Sequence, residues 1–107
     1  MASYQCIVQE GLVGAGLRAR LGRGLARLDA DTFGLSKDAG TVEFVEIRRG
    51  SGFTAGEAST TSIVYAVLPD GCPTETRKRL MASVCEIWYE TTGCSPDGLV
   101  VFTADRP

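Results

Sequence analysis

The chain has 107 residues, 44% of them hydrophobic and 22% charged, the make-up of one ordinary globular domain. A net charge of -2 argues against nucleic-acid binding through a broad basic surface. Histidine is absent, which removes both the commonest general base and the commonest metal ligand.

Alternation predicts a first strand over Ser3 to Val8, with Tyr4, Cys6 and Val8 on one face and Gln5 and Ile7 on the other. Gln9-Glu10-Gly11 reads as a turn. The next segment, Ala15 to Phe33, places Leu17, Leu21, Leu25 and Leu28 on one helical stripe, and Arg18, Arg20, Arg23 and Arg27 on a solvated face. Asp29 follows Leu25 by one turn and lies beside Leu28, at the edge of the apolar stripe. Thr41 to Ile47 alternates as a strand, with Val42, Phe44 and Glu46 opposed to Thr41, Glu43, Val45 and Ile47.

Arg48 to Gly56 is a glycine-rich connection without the G-x-x-x-x-G-K-[ST] pattern of a phosphate loop, so nucleotide binding is not expected. Thr61 to Leu68 is the next strand, closed by the turn Pro69-Asp70-Gly71. Pro73 suits the first turn of a second helix running to Thr92, whose inner face carries Leu80, Met81, Val84, Cys85, Ile87 and Trp88. Leu99 to Thr103 closes the sheet.

One stretch occurs twice. Phe33 to Val45 and Thr92 to Thr103 each read as a helix stopped by glycine (Gly34, Gly93), a polar loop and a strand, at an offset of about 58 to 60 residues. The chain is therefore expected to be a single α/β (α+β) domain, residues 1–107, with pseudo-repeats 1–58 and 59–107. Two tandem β-α-β units would form a four-stranded, mainly parallel sheet with both helices on one face. Valines expected on the other face (Val42 or Val45, Val64, Val101) could not stay in water, which predicts burial by oligomerisation.

Cys6, Cys72, Cys85 and Cys94 lack C-x-x-C spacing, so neither a zinc site nor a redox pair is suggested, and no cofactor is expected. Reduced thiols fit a cytoplasmic protein, with Cys6 and Cys85 packed as small hydrophobes. No signal peptide or membrane-spanning run is recognisable, so no membrane partner is expected.

Tyr4-x-Cys6, Gly34, Val42-x-Phe44-x-Glu46, Gly52-Phe53-Thr54-Ala55-Gly56 with Ala58-Ser59, and the stretch Gly93 to Phe102 occur in an order and spacing that resembles the tautomerase superfamily. The likeness runs over nearly the whole chain. It points to the longer-chain groups typified by cis-chloroacrylic acid dehalogenase and malonate semialdehyde decarboxylase. The resemblance implies a trimer, a pocket at the start of the first strand, an amino-terminal proline as base or acid, and arginines that anchor a substrate carboxylate.

At most of those positions this sequence differs. Ala2 stands where the family has proline, Asp29 where the longer-chain group has histidine, and Pro69 and Cys72 where two arginines are expected. Thr41 takes the place of a further arginine and Phe102 that of a tyrosine, while the pocket aromatic is retained as Phe53. Each lost buried contact to a charge is worth about 1.5–3 kcal/mol, so a carboxylate-bearing substrate would be held poorly. A neutral ligand is expected instead.

Loss of Met1 would leave Ala2 as a primary amine, with an ordinary pKa of about 7.7–8.0, able to act as a base or form an imine. Asp29, in an apolar setting, is a candidate proton shuttle, and Glu43 is a second carboxyl candidate. Phe53, Tyr65, Cys72 and Phe102 are the candidate substrate-binding residues; Tyr65 offers a hydrogen bond to a carbonyl, and Cys72 a thiol with no obvious activator.

Two readings result. In one, the protein is an isomerase- or cyclase-type enzyme moving protons on a neutral enol or carbonyl compound, a chemistry suited to specialised metabolism, and forms a homotrimer. In the other, it is a non-catalytic subunit that pairs with a proline-bearing homologue in a hetero-oligomer, or a small-molecule binding protein.

Overall fold

A computed structural model describes residues 2–34 and 40–106; Met1, Leu35 to Ala39 (the polar loop of the first repeat copy) and Pro107 lie outside the described residues. The order is β1 (Ser3–Gln9), α1 (Ala15–Phe33), β2 (Val42–Ile47), β3 (Phe53–Thr54), β4 (Glu57–Ala58), β5 (Ser62–Leu68), α2 (Thr74–Thr92), a 3-10 turn (Pro96–Gly98) and β6 (Leu99–Asp105). Glycine ends both helices. Gly34 (φ 88°) donates its N–H to the Ala30 carbonyl, and Gly93 (φ 71°) to that of Tyr89, each at 2.8 Å.

The strands form one sheet in the order β2–β1–β5–β6. Within each β-α-β unit the two strands are parallel, as a helical crossover requires. The two units meet through an antiparallel pairing, with Ser3 opposite Val67 and Cys6 opposite Val64. Both helices pack on one face. Tyr4, Cys6 and Val8 of β1 and Val64, Ala66 and Leu68 of β5 lie in one buried cluster with Leu21 and Leu25 of α1 and Leu80, Val84 and Trp88 of α2. Complete burial of each leucine or valine contributes about 1.5–3 kcal/mol.

One expectation about sidedness is corrected. The sequence reading puts Val64 and Val101 away from the helices. The register instead aligns Cys6, Val64 and Val101 in one row across β1, β5 and β6, beneath the helices, with Val64 completely buried. The open face carries Val45, Ile7, Ile63 and Val100 in one row and Glu43, Gln5, Tyr65 and Phe102 in the next. It is unpartnered in the single chain: Tyr65 is 39% exposed, Val100 41% and Phe102 52%.

The connection between β2 and β5 holds a small β3–β4 hairpin, absent from the sequence reading, which turns through Ala55 (φ 51°) and Gly56 (φ 81°). Of the arginines on α1, Arg20, Arg23 and Arg27 are exposed, whereas Arg18 pairs with Glu46 of β2. All four cysteines are free thiols, and burial pushes the Cys6 thiol up to about 12. No helix among the described residues is long and apolar enough to cross a membrane.

Candidate active site

The buried stripe of α1 is Leu21, Leu25 and Asp29, spaced one turn apart. Because α1 returns antiparallel to β1, the end of this stripe arrives where β1 begins. The carboxylate of Asp29, 3% exposed, is met there by three donors. The backbone N–H of Ala2 reaches Oδ1 at 2.8 Å, the Tyr4 hydroxyl reaches the same oxygen at 3.0 Å, and the Gly40 N–H reaches Oδ2 at 3.2 Å. A buried carboxylate needs such partners, because leaving its charge bare would cost far more than the fold can spare.

Tyr4 is the complement of that carboxylate. Burial, first, and the neighbouring Asp29 raise its pKa well above the ordinary phenol value, so it remains a hydrogen-bond donor. Residue 40 has to be glycine for steric reasons. A Cβ there would overlap the Ala2 carbonyl oxygen and stand 2.7 Å from Asp29 Oδ2.

The other candidates lie on the open side of the sheet. Gln5 is flanked by Glu43 on β2 and by Tyr65 on β5, and Phe102 pairs beyond Tyr65. Glu43 and Tyr65 share a cleft of about 220 Å³ with Tyr4, Thr41 and Val67. Tyr4 is thus common to the cleft and to the buried cluster. Toward the opposite end of β1 a larger cavity of about 400 Å³ is lined by Phe53 and Phe102 with Ile7, Ile47, Ile63 and Val100. Its hairpin is fastened by the buried Gln9, which donates Nε2–H to the Ser59 carbonyl (2.6 Å) and accepts the Gly50 N–H at Oε1 (3.1 Å).

The candidate residues therefore fall into three groups. Ala2 and Asp29 are in direct contact beneath β1; Glu43, Tyr65 and Phe102 form a row above it; Phe53 joins Phe102 in the second cavity. Cys72 stands apart, half-buried in the turn before α2, and neither it nor Pro69 lines either cavity. Neither cavity has a lysine or arginine among its described lining residues. Arg48 and Arg49 are exposed. No cluster of metal-binding side chains occurs among the described residues.

Sequence reasoning missed Tyr4, Gly40 and Gln9. The signal for Tyr4 was its place on the apolar face with Cys6 and Val8, since a buried tyrosine needs a partner for its hydroxyl. Gly40 and Gln9 left no comparable mark.

The architecture, with Asp29 held against the start of β1, can be compared with known structures. Native Ps01740 superposes with a TM-score of 0.91 at 26% identity, over 97% of this chain and 93% of that one. N1, a member of the cis-3-chloroacrylic acid dehalogenase (cis-CaaD) family, gives 0.90 at 20% identity, over 98% and 75%. A fused 4-OT wild-type symmetric trimer gives 0.84 at 17% identity, over 97% and 85%. The fold is a tautomerase-superfamily fold. No protein-family model and no curated protein matches the chain. The tautomerase-superfamily neighbours thus fix the architecture, while the chemistry has to be read from the side chains.

Proposed function

We propose that this protein transfers protons on a small neutral enol or carbonyl compound, in an isomerisation, cyclisation or aldol-type reaction. The observation that carries the reading is the contact between Asp29 and the nitrogen of Ala2, 2.8 Å apart at the start of β1. With Met1 removed, that nitrogen is a primary amine whose ordinary pKa of about 7.7–8.0 lies close to working pH. Asp29 then acts as its counter-ion and proton partner, so that a carboxyl–amine pair does the work of the superfamily's proline.

Glu43 is the second carboxyl. It is exposed in the cleft above β1, which supports a role in returning or removing a proton there, with Tyr65 as the donor to a carbonyl oxygen. Phe102 and Phe53 supply apolar surface in the larger cavity toward the other end of β1, and Cys72, which lines neither cavity, is the remaining candidate contact. The absence of lysine and arginine from the described linings of both cavities supports a neutral substrate. The exposed Tyr65, Phe102 and Val100 on the open face support burial against further copies of the chain, as a homotrimer.

The test has two parts. Intact mass establishes whether Met1 is gone. Deuterium incorporation from D2O into the α-position of a panel of neutral ketones and β-keto compounds is then followed by NMR. Wild type is expected to exchange at least one of them, Asp29→Asn to lose that activity, and Glu43→Gln to slow it. Equal exchange by wild type and Asp29→Asn would sink the assignment.

A second reading rests on a different aspect of the same carboxylate. Asp29 has three internal donors, and so could serve as a structural staple in a non-catalytic subunit alongside a proline-bearing homologue. Native mass spectrometry after co-expression with such a homologue separates the two: a mixed assembly favours the subunit, and a homotrimer of this chain favours the enzyme.

A further inference from the structure

We infer that Tyr4 is a positioning residue for the amine at residue 2, acting through Asp29. The inference rests on the reading of Ala2 given above. Oδ1 of Asp29 receives both the Ala2 nitrogen (2.8 Å) and the Tyr4 hydroxyl (3.0 Å), so the two donors share one oxygen and its charge. The Gly40 N–H occupies Oδ2, and the carboxylate is thereby held by three donors from three separate positions in the chain. Tyr4 is 1% exposed, and burial and the neighbouring Asp29 raise its pKa, so its hydroxyl is a donor to that oxygen.

Among the described residues, no titratable side chain other than Tyr4 hydrogen-bonds to Asp29; on the helix side, Asp31 of α1 and Arg79 of α2 line a separate cleft with Leu28 and Leu80. Glu43 on β2 and Tyr65 on β5 lie on the open side of β1, beside Gln5. On the β6 and α2 side, Asp105 pairs with Arg77, and Cys72 belongs to the turn before α2. Among the described residues, Asp29 is the titratable group bonded to the Ala2 nitrogen, and Tyr4 the one bonded to that same oxygen. Loss of the Tyr4 hydroxyl leaves more of the carboxylate charge for the ammonium form of Ala2 and strengthens that pairing.

The test is competitive acetylation of the intact protein with trace acetic anhydride between about pH 5 and 10, read on the amino-terminal peptide by mass spectrometry. Relative to wild type, Tyr4→Phe is expected to raise the labelling midpoint of the Ala2 amine by about half a unit, which lowers the rate near pH 7 about threefold. Asp29→Asn is expected to lower the midpoint. A Tyr4→Phe midpoint equal to or below wild type overturns the proposal, because a merely structural tyrosine would leave it in place. Should Tyr4→Phe not fold, wild-type chain carrying 3-fluorotyrosine, a stronger phenol donor, is expected to lower the midpoint, and no change refutes.

The same peptide separates the two levels of the reading. A peptide that retains Met1 removes the amine and with it the proposed base. Tyr4 is then read from hydrogen exchange at the Ala2 amide: exchange about tenfold faster in Tyr4→Phe supports the positioning role, and unchanged protection overturns it.

Discussion

Replacing Asp29 by leucine removes two acceptor oxygens and takes the partner from three donors. Leucine is close to aspartate in length, so the expected loss is mainly polar. The Ala2 N–H and the Tyr4 hydroxyl are both buried, and each left unpaired costs about 1–3 kcal/mol. The Gly40 N–H is only partly buried and can turn to water. The two buried donors together give an expected loss of about 3 kcal/mol, and for a chain of this size each 1 kcal/mol lowers Tm by roughly 4–8 °C. Asp29→Asn keeps one oxygen for Ala2 and Tyr4 but sets an amide N–H against the Gly40 N–H, for about 1 kcal/mol. Urea denaturation of Asp29→Leu, Tyr4→Phe and the double variant completes the argument. Tyr4→Phe alone should cost about 1 kcal/mol, yet cost nothing once Asp29 is leucine, because it then removes a hydroxyl that has lost its acceptor. A cycle additive to within about 0.3 kcal/mol would refute the shared-oxygen geometry.

Three further outcomes are expected. Stability should fall steeply in alkali: burial raises the Cys6 thiol from its ordinary value to about 12, so its contribution is whole below about pH 9 and is lost as the pH climbs toward about 12. Buried Tyr4, also raised, adds a second loss from about pH 10, and Cys6→Val should flatten the earlier part of a urea-midpoint profile, with each group contributing a slope of about 1.4 kcal/mol per pH unit. Gln9→Leu strands the Gly50 N–H and the Ser59 carbonyl, and should cost about 1–3 kcal/mol while speeding limited proteolysis between residues 50 and 59; an unaltered digest would count against Gln9 as the fastener. Phe102→Asp puts a charge on the edge strand of the open face and should dissociate any assembly built on it, read by light scattering, without altering the helical CD signal.

How far each feature could be read in advance follows from how locally it is encoded. Both helices were legible almost to the residue, because leucine spacing sets their faces and Gly34 and Gly93 end them. Asp29 was legible for the same reason, one turn beyond Leu25. Strand alternation showed that Tyr4, Cys6 and Val8 share a side, but period two cannot say which side meets the helices, and Val64 and Val101 were misplaced for that reason. The β3–β4 hairpin has strands of two residues each, too short for any periodicity to register. The Tyr4–Asp29 bond joins positions 25 residues apart and depends on how α1 lies on the sheet, which no local pattern contains.

The antiparallel junction of β1 with β5 sets the two halves of the chain head to head, so each unit carries the start of its first strand to an opposite edge of the molecule. The two β-α-β units present matching turns of helix to the sheet, and their buried residues differ in kind at one of them. Counting one helix against the other, Leu21, Leu25 and Asp29 answer to Leu80, Val84 and Trp88, so where the first half keeps an acid the second inserts an indole. The large ring of Trp88 is 1% exposed and fills its place with apolar surface, where Asp29 fills its own with a hydrogen-bonded carboxylate. At the matching turn of the two helices, the second half thus places an apolar ring in the core where the first places a hydrogen-bonded acid.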